Sequence, residues 1–96
     1  MILHTLNASP SSAAFNDCLR LLRAGDAVLL LGDGIYGATL QTAACESLQA
    51  SGAELYVLRR DAEAAGLIDR IDARLFVDMD GFVVLTERFT RQQAWY

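Results

Sequence analysis

Asp26-Ala27-Val28-Leu29-Leu30-Leu31-Gly32-Asp33-Gly34 is the stretch on which the fold turns. Ala27 to Leu31 is continuously apolar, with no alternation between apolar and polar positions. That pattern marks a strand covered on both faces, as in a parallel sheet. The run is too short for an ordinary helix, and Gly32-Asp33-Gly34 closes it with turn residues. Parallel strands need long crossovers, so helices are expected on either side of this segment.

Working outward in both directions gives those helices. Ile2 to Leu6 reads as a short strand, and Asn7 to Ser12 as a turn cluster. Ser9 as N-cap and Pro10 at the first helical position predict a helix start. Phe15, Cys18, Leu19 and Leu22 then recur at the spacing of one helical face, and Gly25 is placed to end the helix in a left-handed cap. Beyond the central strand, a helix is expected from about Ala38 to Ala50, with Leu40, Ala44 and Leu48 on one stripe and Ser51-Gly52 at its end. Leu55 to Leu58 is a third strand. Asp61 caps a short helix through Ala65, ended by Gly66. Leu75 to Asp78 is a fourth strand. Asp78 or Asp80 opens a last helix in which Phe82, Leu85 and Phe89 share a face. Phe82 to Thr86 also fits a strand, because Val83-Val84 is β-branched, but the acidic cap and the length of the run favour the helix. Ala94-Trp95-Tyr96 is a final extended piece. The expectation is an α/β fold: a single three-layer α/β/α domain over residues 1–96 with a mostly parallel five-stranded sheet. Strand order is not legible at this level.

Composition narrows the function classes. Of 96 residues 53% are hydrophobic, a high fraction for one small domain, and 15 are leucine. No apolar run approaches the roughly 20 residues of a membrane span. The segment Met1-Ile2-Leu3-His4 lacks the basic start of a signal peptide. Two cysteines without an export signal do not form a disulfide framework, so the cytoplasm is the expected compartment. Twelve acids face eight bases, all of them arginine, for a net charge of −4. The arginines are dispersed among acids, which argues against direct, strong binding of nucleic acid.

Few residues carry candidate chemistry. Gly32-Asp33-Gly34-Ile35-Tyr36-Gly37 matches G-x-G-x-x-G, which in dinucleotide folds lets backbone approach a pyrophosphate. Here it follows the second strand, and Asp33 places negative charge inside the anion site, so a tight turn is the favoured reading and a small nucleotide-binding domain the minor one. Cys18 is the candidate sulfur-accepting thiol. Its position on an apolar stripe makes packing the favoured reading, since a sulfur-carrying or redox thiol needs exposure and a lowered pKa. Cys45, beside Glu46, reads as packing. His4, the one histidine, reads as a hydrogen-bonded structural residue. Asp78 and Asp80 read as helix caps. No spacing of His and Cys fits a metal, and no cofactor is expected.

Several segments together carry a family likeness: Ile2-Leu3-His4-Thr5-Leu6-Asn7-Ala8-Ser9-Pro10, then Leu29-Leu30-Leu31-Gly32-Asp33-Gly34-Ile35-Tyr36, then Leu55-Tyr56-Val57-Leu58 with Asp61 and Ala65-Gly66-Leu67, then Gly81-Phe82-Val83-Val84-Leu85-Thr86, and the ending Gln93-Ala94-Trp95-Tyr96. In this order they resemble the TusB/DsrH family of DsrE/F/H-like sulfur-relay proteins. The resemblance implies a role in 2-thiolation of the tRNA wobble uridine. It implies TusC- and TusD-like partners in a heterohexamer built as a dimer of trimers. It also implies persulfide sulfur arriving from a TusA-like donor and leaving to a TusE-like acceptor, with tRNA met only indirectly. In such complexes the transferring cysteine belongs to the TusD-like subunit, after its third strand. The comparable segment here, Tyr56-Val57-Leu58-Arg59-Arg60, has no cysteine, and Leu58 stands near the thiol's place. The expected role is therefore a noncatalytic subunit. The alternative drawn from the same resemblance is a DsrH-type sulfur carrier that uses Cys18 in sulfur oxidation.

Overall fold

A computed structural model describes residues Met1–Tyr96. The strands are β1 (Leu3–Leu6), β2 (Ala27–Leu30), β3 (Glu54–Leu58), β4 (Phe76–Val77) and β5 (Gln92–Trp95). The α-helices are α1 (Ala13–Leu21), α2 (Ala43–Ala50), α3 (Arg59–Ala64) and α4 (Met79–Arg88), each lying between successive strands. Three 3-10 helices, Gly32–Ala38, Ile68–Arg70 and Ala73–Leu75, fill connections. The five strands form one sheet in the order β4-β3-β2-β1-β5, and every pairing is parallel.

The apolar stretch quoted above becomes the central strand, and all four residues of β2 are fully buried. Successive side chains of a strand point to opposite faces, and β2 divides the core accordingly. Val28 and Leu30 join Leu6, Leu55 and Val57 beneath Phe15 and Cys18 of α1, Leu48 of α2 and Ala62 of α3. Ala27 and Leu29 join Leu3 on the opposite face, where Leu85 of α4 and Phe89, its C-cap, cover them. The three layers are thus unequal. Three helices pack on one face, and α4 alone covers the other.

Several helix boundaries differ from the sequence expectation. Ser9 does not cap α1. Its carbonyl accepts from the Ser12 amide (3.0 Å) and the Ser12 hydroxyl (2.7 Å), closing a turn that holds Pro10. Ser12 is the N-cap, accepting from the Phe15 amide at 3.2 Å. Gly25 has φ +94° but lies four residues beyond the helix, in the turn where Asp26 N–H bonds Arg23 C=O; Leu22 is the C-cap. The helix expected from Ala38 starts only at Ala43. Gln41 at φ +64° interrupts any helix, and Thr42 caps α2 through the Cys45 amide at 3.3 Å. Leu40 consequently lies outside the stripe and is exposed. Asp61 sits in the first turn of α3, whose N-cap is Leu58, and its carboxylate accepts from Gly32 N–H instead of capping the helix. Asp78 is the α4 cap, accepting from the Gly81 amide at 2.8 Å.

Candidate functional site

In a parallel sheet the carboxyl ends of the strands gather the loops that carry chemistry. Here β2 runs into the Gly32–Ala38 helix and β3 runs directly into α3. Between these two connections lies an open cavity of about 260 Å³, lined by Gly32, Asp33, Ile35, Tyr36, Asp61, Ala64 and Ala65. The glycines of the Gly32–Ala38 turn are explained by packing. Gly32 has φ +53°, and a Cβ there would stand 2.1 Å from the Asn7 side-chain oxygen. A Cβ on Gly34 would stand 2.1 Å from the Leu6 carbonyl oxygen, and one on Gly37 would meet the Phe15 ring at 2.6 Å.

The amides of this turn are also committed internally. Gly32 N–H donates to Asp61 Oδ2 at 2.8 Å, and Gly34 N–H donates to Leu31 C=O at 2.9 Å. A phosphate would find one of its glycine donors already facing a carboxylate, and would meet Asp33 and Asp61 on the cavity wall. The arrangement supports the tight-turn reading of G-x-G-x-x-G. The Asp61–Gly32 bond ties the start of α3 to the end of β2 across 29 residues, a pairing that no local pattern announced.

The β3–α3 junction is where the resemblance would place a reactive thiol. Leu58 occupies it, 5% exposed, as the last residue of β3. The exposed Arg59 and Arg60 follow at once, and Arg59 pairs with Glu63 at 3.6 Å. The junction therefore offers no nucleophile. Cys18 lies on the inner face of α1 with 0% exposure, and burial pushes its thiol up to about 12. Cys45 is also buried, and its thiol is pushed up first by burial and then by Glu46 and Asp72. Both cysteines are free. No group of three or more His, Cys, Asp or Glu side chains is arranged to hold a metal.

His4 is hydrogen-bonded through both ring nitrogens, to Asp26 and to Trp95. It meets neither cysteine in a hydrogen bond, so the structure brings none of the candidate chemical groups together as a catalytic pair. No helix is long and apolar enough to cross a membrane.

Comparison with known proteins adds the last finding. A family profile described as "DsrH like protein" matches residues 8–92. The chain is 43% identical over 95 residues to Protein TusB of Erwinia tasmaniensis, covering 98% of this chain and 100% of that one. It is 40% identical to Protein TusB of Pectobacterium parmentieri and 42% identical to Protein TusB of Salmonella dublin, with the same coverage.

Proposed function

The chain belongs to the DsrH-like family, and on that premise we propose that its residues 1–96 act as one domain, a noncatalytic subunit of a TusBCD-type sulfur-relay complex. That complex passes persulfide sulfur toward 2-thiolation of the tRNA wobble uridine in the cytoplasm. One observation carries the noncatalytic part of the reading. The β3–α3 junction holds buried Leu58 where a transferring thiol would stand, and both cysteines are buried with raised pKa values. Sulfur transfer proceeds by thiolate attack, so it needs an ionised and reachable sulfur.

The subunit's contribution is then surface. TusC- and TusD-like partners cover apolar side chains that the isolated fold leaves exposed, among them Leu21, Leu40, Met79, Val83 and Val84. A TusA-like donor and a TusE-like acceptor are served through the assembled complex, and tRNA is reached only beyond it.

Co-expression with TusC- and TusD-like subunits tests the reading. A stable hetero-oligomer by light scattering is expected, with tRNA thiolation intact when Cys18→Ser is incorporated. A chain that stays monomeric beside its partners sinks the assembly role. An assembled Cys18→Ser complex that no longer thiolates tRNA sinks the noncatalytic role and restores the sulfur-carrier alternative.

A further inference from the structure

A buried chain of three side chains has no part in the proposed relay. His4, 2% exposed, sits in β1 between β2 and β5. Its Nε2 lies 3.1 Å from Asp26 Oδ2, and its Nδ1 lies 3.1 Å from Trp95 Nε1. The residues are 22 and 91 positions from His4 in sequence. An indole nitrogen can only donate, so Nδ1 must accept. The single proton of the neutral ring is therefore on Nε2, which donates to Asp26. The neighbours leave no freedom in the tautomer.

Both partners hold their places firmly. Asp26 Oδ1 accepts from the Ile2 amide at 2.9 Å, and Oδ2 accepts also from the Arg23 amide at 3.2 Å. Trp95 is stacked beside the imidazole, with ring centroids 6.3 Å apart and planes at 22°. It belongs to β5, an edge strand paired only with β1. The indole's one polar anchor is thus an unprotonated nitrogen.

We propose that His4 is an acid-sensitive latch on the C-terminal strand. A proton taken from solvent onto Nδ1 converts the acceptor into a donor. Two N–H groups then face each other, and the Trp95 bond is lost. The Nε2–Asp26 bond becomes a full ion pair, and the imidazolium, a donor at both nitrogens, keeps no acceptor for the indole. The β5 ladder persists through Leu3 N–H to Arg91 C=O (3.0 Å) and Asn7 N–H to Trp95 C=O (2.8 Å). The indole is released while the strand stays paired.

The other titratable groups around the latch leave this sign unchanged. Cys18 of α1, over the same face of the sheet, is pushed up to about 12 and stays neutral. Arg23 and Met1 are exposed residues, and neither the Arg23 guanidinium nor the Met1 amine forms an ion pair with Asp26. Asp17 and Arg20 on α1 pair with each other. Gln93, beside His4 in the β5 register, carries no charge.

Trp95 is the one tryptophan, so its fluorescence and its indole N–H resonance report on the latch directly. The test is a titration of the intact chain between about pH 8 and 5, the range in which imidazoles change charge. Both signals should move together, and indole N–H exchange, corrected for its intrinsic pH dependence, should quicken about tenfold in the acid form, as loss of one hydrogen bond implies. His4→Gln should abolish the transition. Trp95→Phe, which removes the opposing donor, should raise the pH at which the His4 ring protons titrate by NMR. A wild-type indole signal that stays constant over the range overturns the proposal, as does a transition that survives in His4→Gln. If His4→Gln does not fold, Trp95→Phe decides: an unchanged or lowered His4 midpoint overturns the latch. None of these readouts depends on partner subunits or on sulfur transfer.

Discussion

Cys18 shows how one side chain is decided by its surroundings. The i, i+3, i+4, i+7 spacing with Phe15, Leu19 and Leu22 already placed it on an apolar stripe, and the structure puts it wholly inside. Burial disfavours the thiolate, so the native thiol should resist iodoacetamide and react only after unfolding, as mass spectrometry would show. The same shift has a pH signature. The unfolded chain releases this proton near the ordinary value of 9.0, and the folded chain near about 12. Above 9.0 the unfolded state therefore binds fewer protons, and stability falls as pH rises between those values. Urea denaturation of Cys18→Ala should give a flatter alkaline limb. Gly34 is the opposite case, legible as a turn residue but not for its reason. Its Cβ position is filled by the Leu6 carbonyl, so Gly34→Ala should cost at least about 1–3 kcal/mol, the usual penalty of forced overpacking, by chemical denaturation.

Among the elements, α4 is read as a helix from its cap and spacing, against the β-branched Val83-Val84, and α2 is the least legible. Asp78 begins α4, and Leu85 and Phe89 face the core as the spacing predicts. Asp78→Ala removes the acceptor for the Gly81 amide and should cost about 1 kcal/mol, with the loss visible in a urea titration and no change of fold. The start of α2 was misread because its first expected turn is made of ordinary helix formers. What displaced it is a seven-residue 3-10 helix, pinned by Thr39 Oγ1 to Tyr36 C=O at 2.8 Å and by close packing of Gly34 on β1 and Gly37 on α1. The two glycine contacts come from elements distant in sequence, and propensity carries no record of them. The α1 start failed for a smaller reason. Two serines three residues apart both fit a cap, and only the Ser9–Ser12 turn selects between them.

The whole molecule brings back the apolar composition. Much of it is spent inside, on a covered parallel sheet, yet large apolar side chains remain outside. They include Met79, Val83 and Val84 on the outer side of α4, with Val83 and Val84 at 54% and 60% exposure. Apolar groups that gain nothing in the isolated fold are cheap to change there, and surface substitutions usually fall within about 0.5 kcal/mol. On the proposed assembly role, Val83→Asp should leave the denaturation midpoint of the isolated chain nearly unchanged while weakening capture of the TusC- and TusD-like partners in co-expression. Retention of wild-type complex would remove this face from the interface.

The alternation of strand and helix, the parallel character of the sheet and the burial of β2 were determined by sequence alone. They depend on local periodicity and on the length of apolar runs, which one chain displays openly. The order β4-β3-β2-β1-β5, the covering of one face by α4 alone, the Asp61–Gly32 tie and the His4–Asp26–Trp95 chain were decided only by tertiary structure. Each joins residues separated by 19 to 91 positions. Whether two such groups meet depends on which strands become neighbours, and that choice is made by packing the whole sheet rather than by any segment of it.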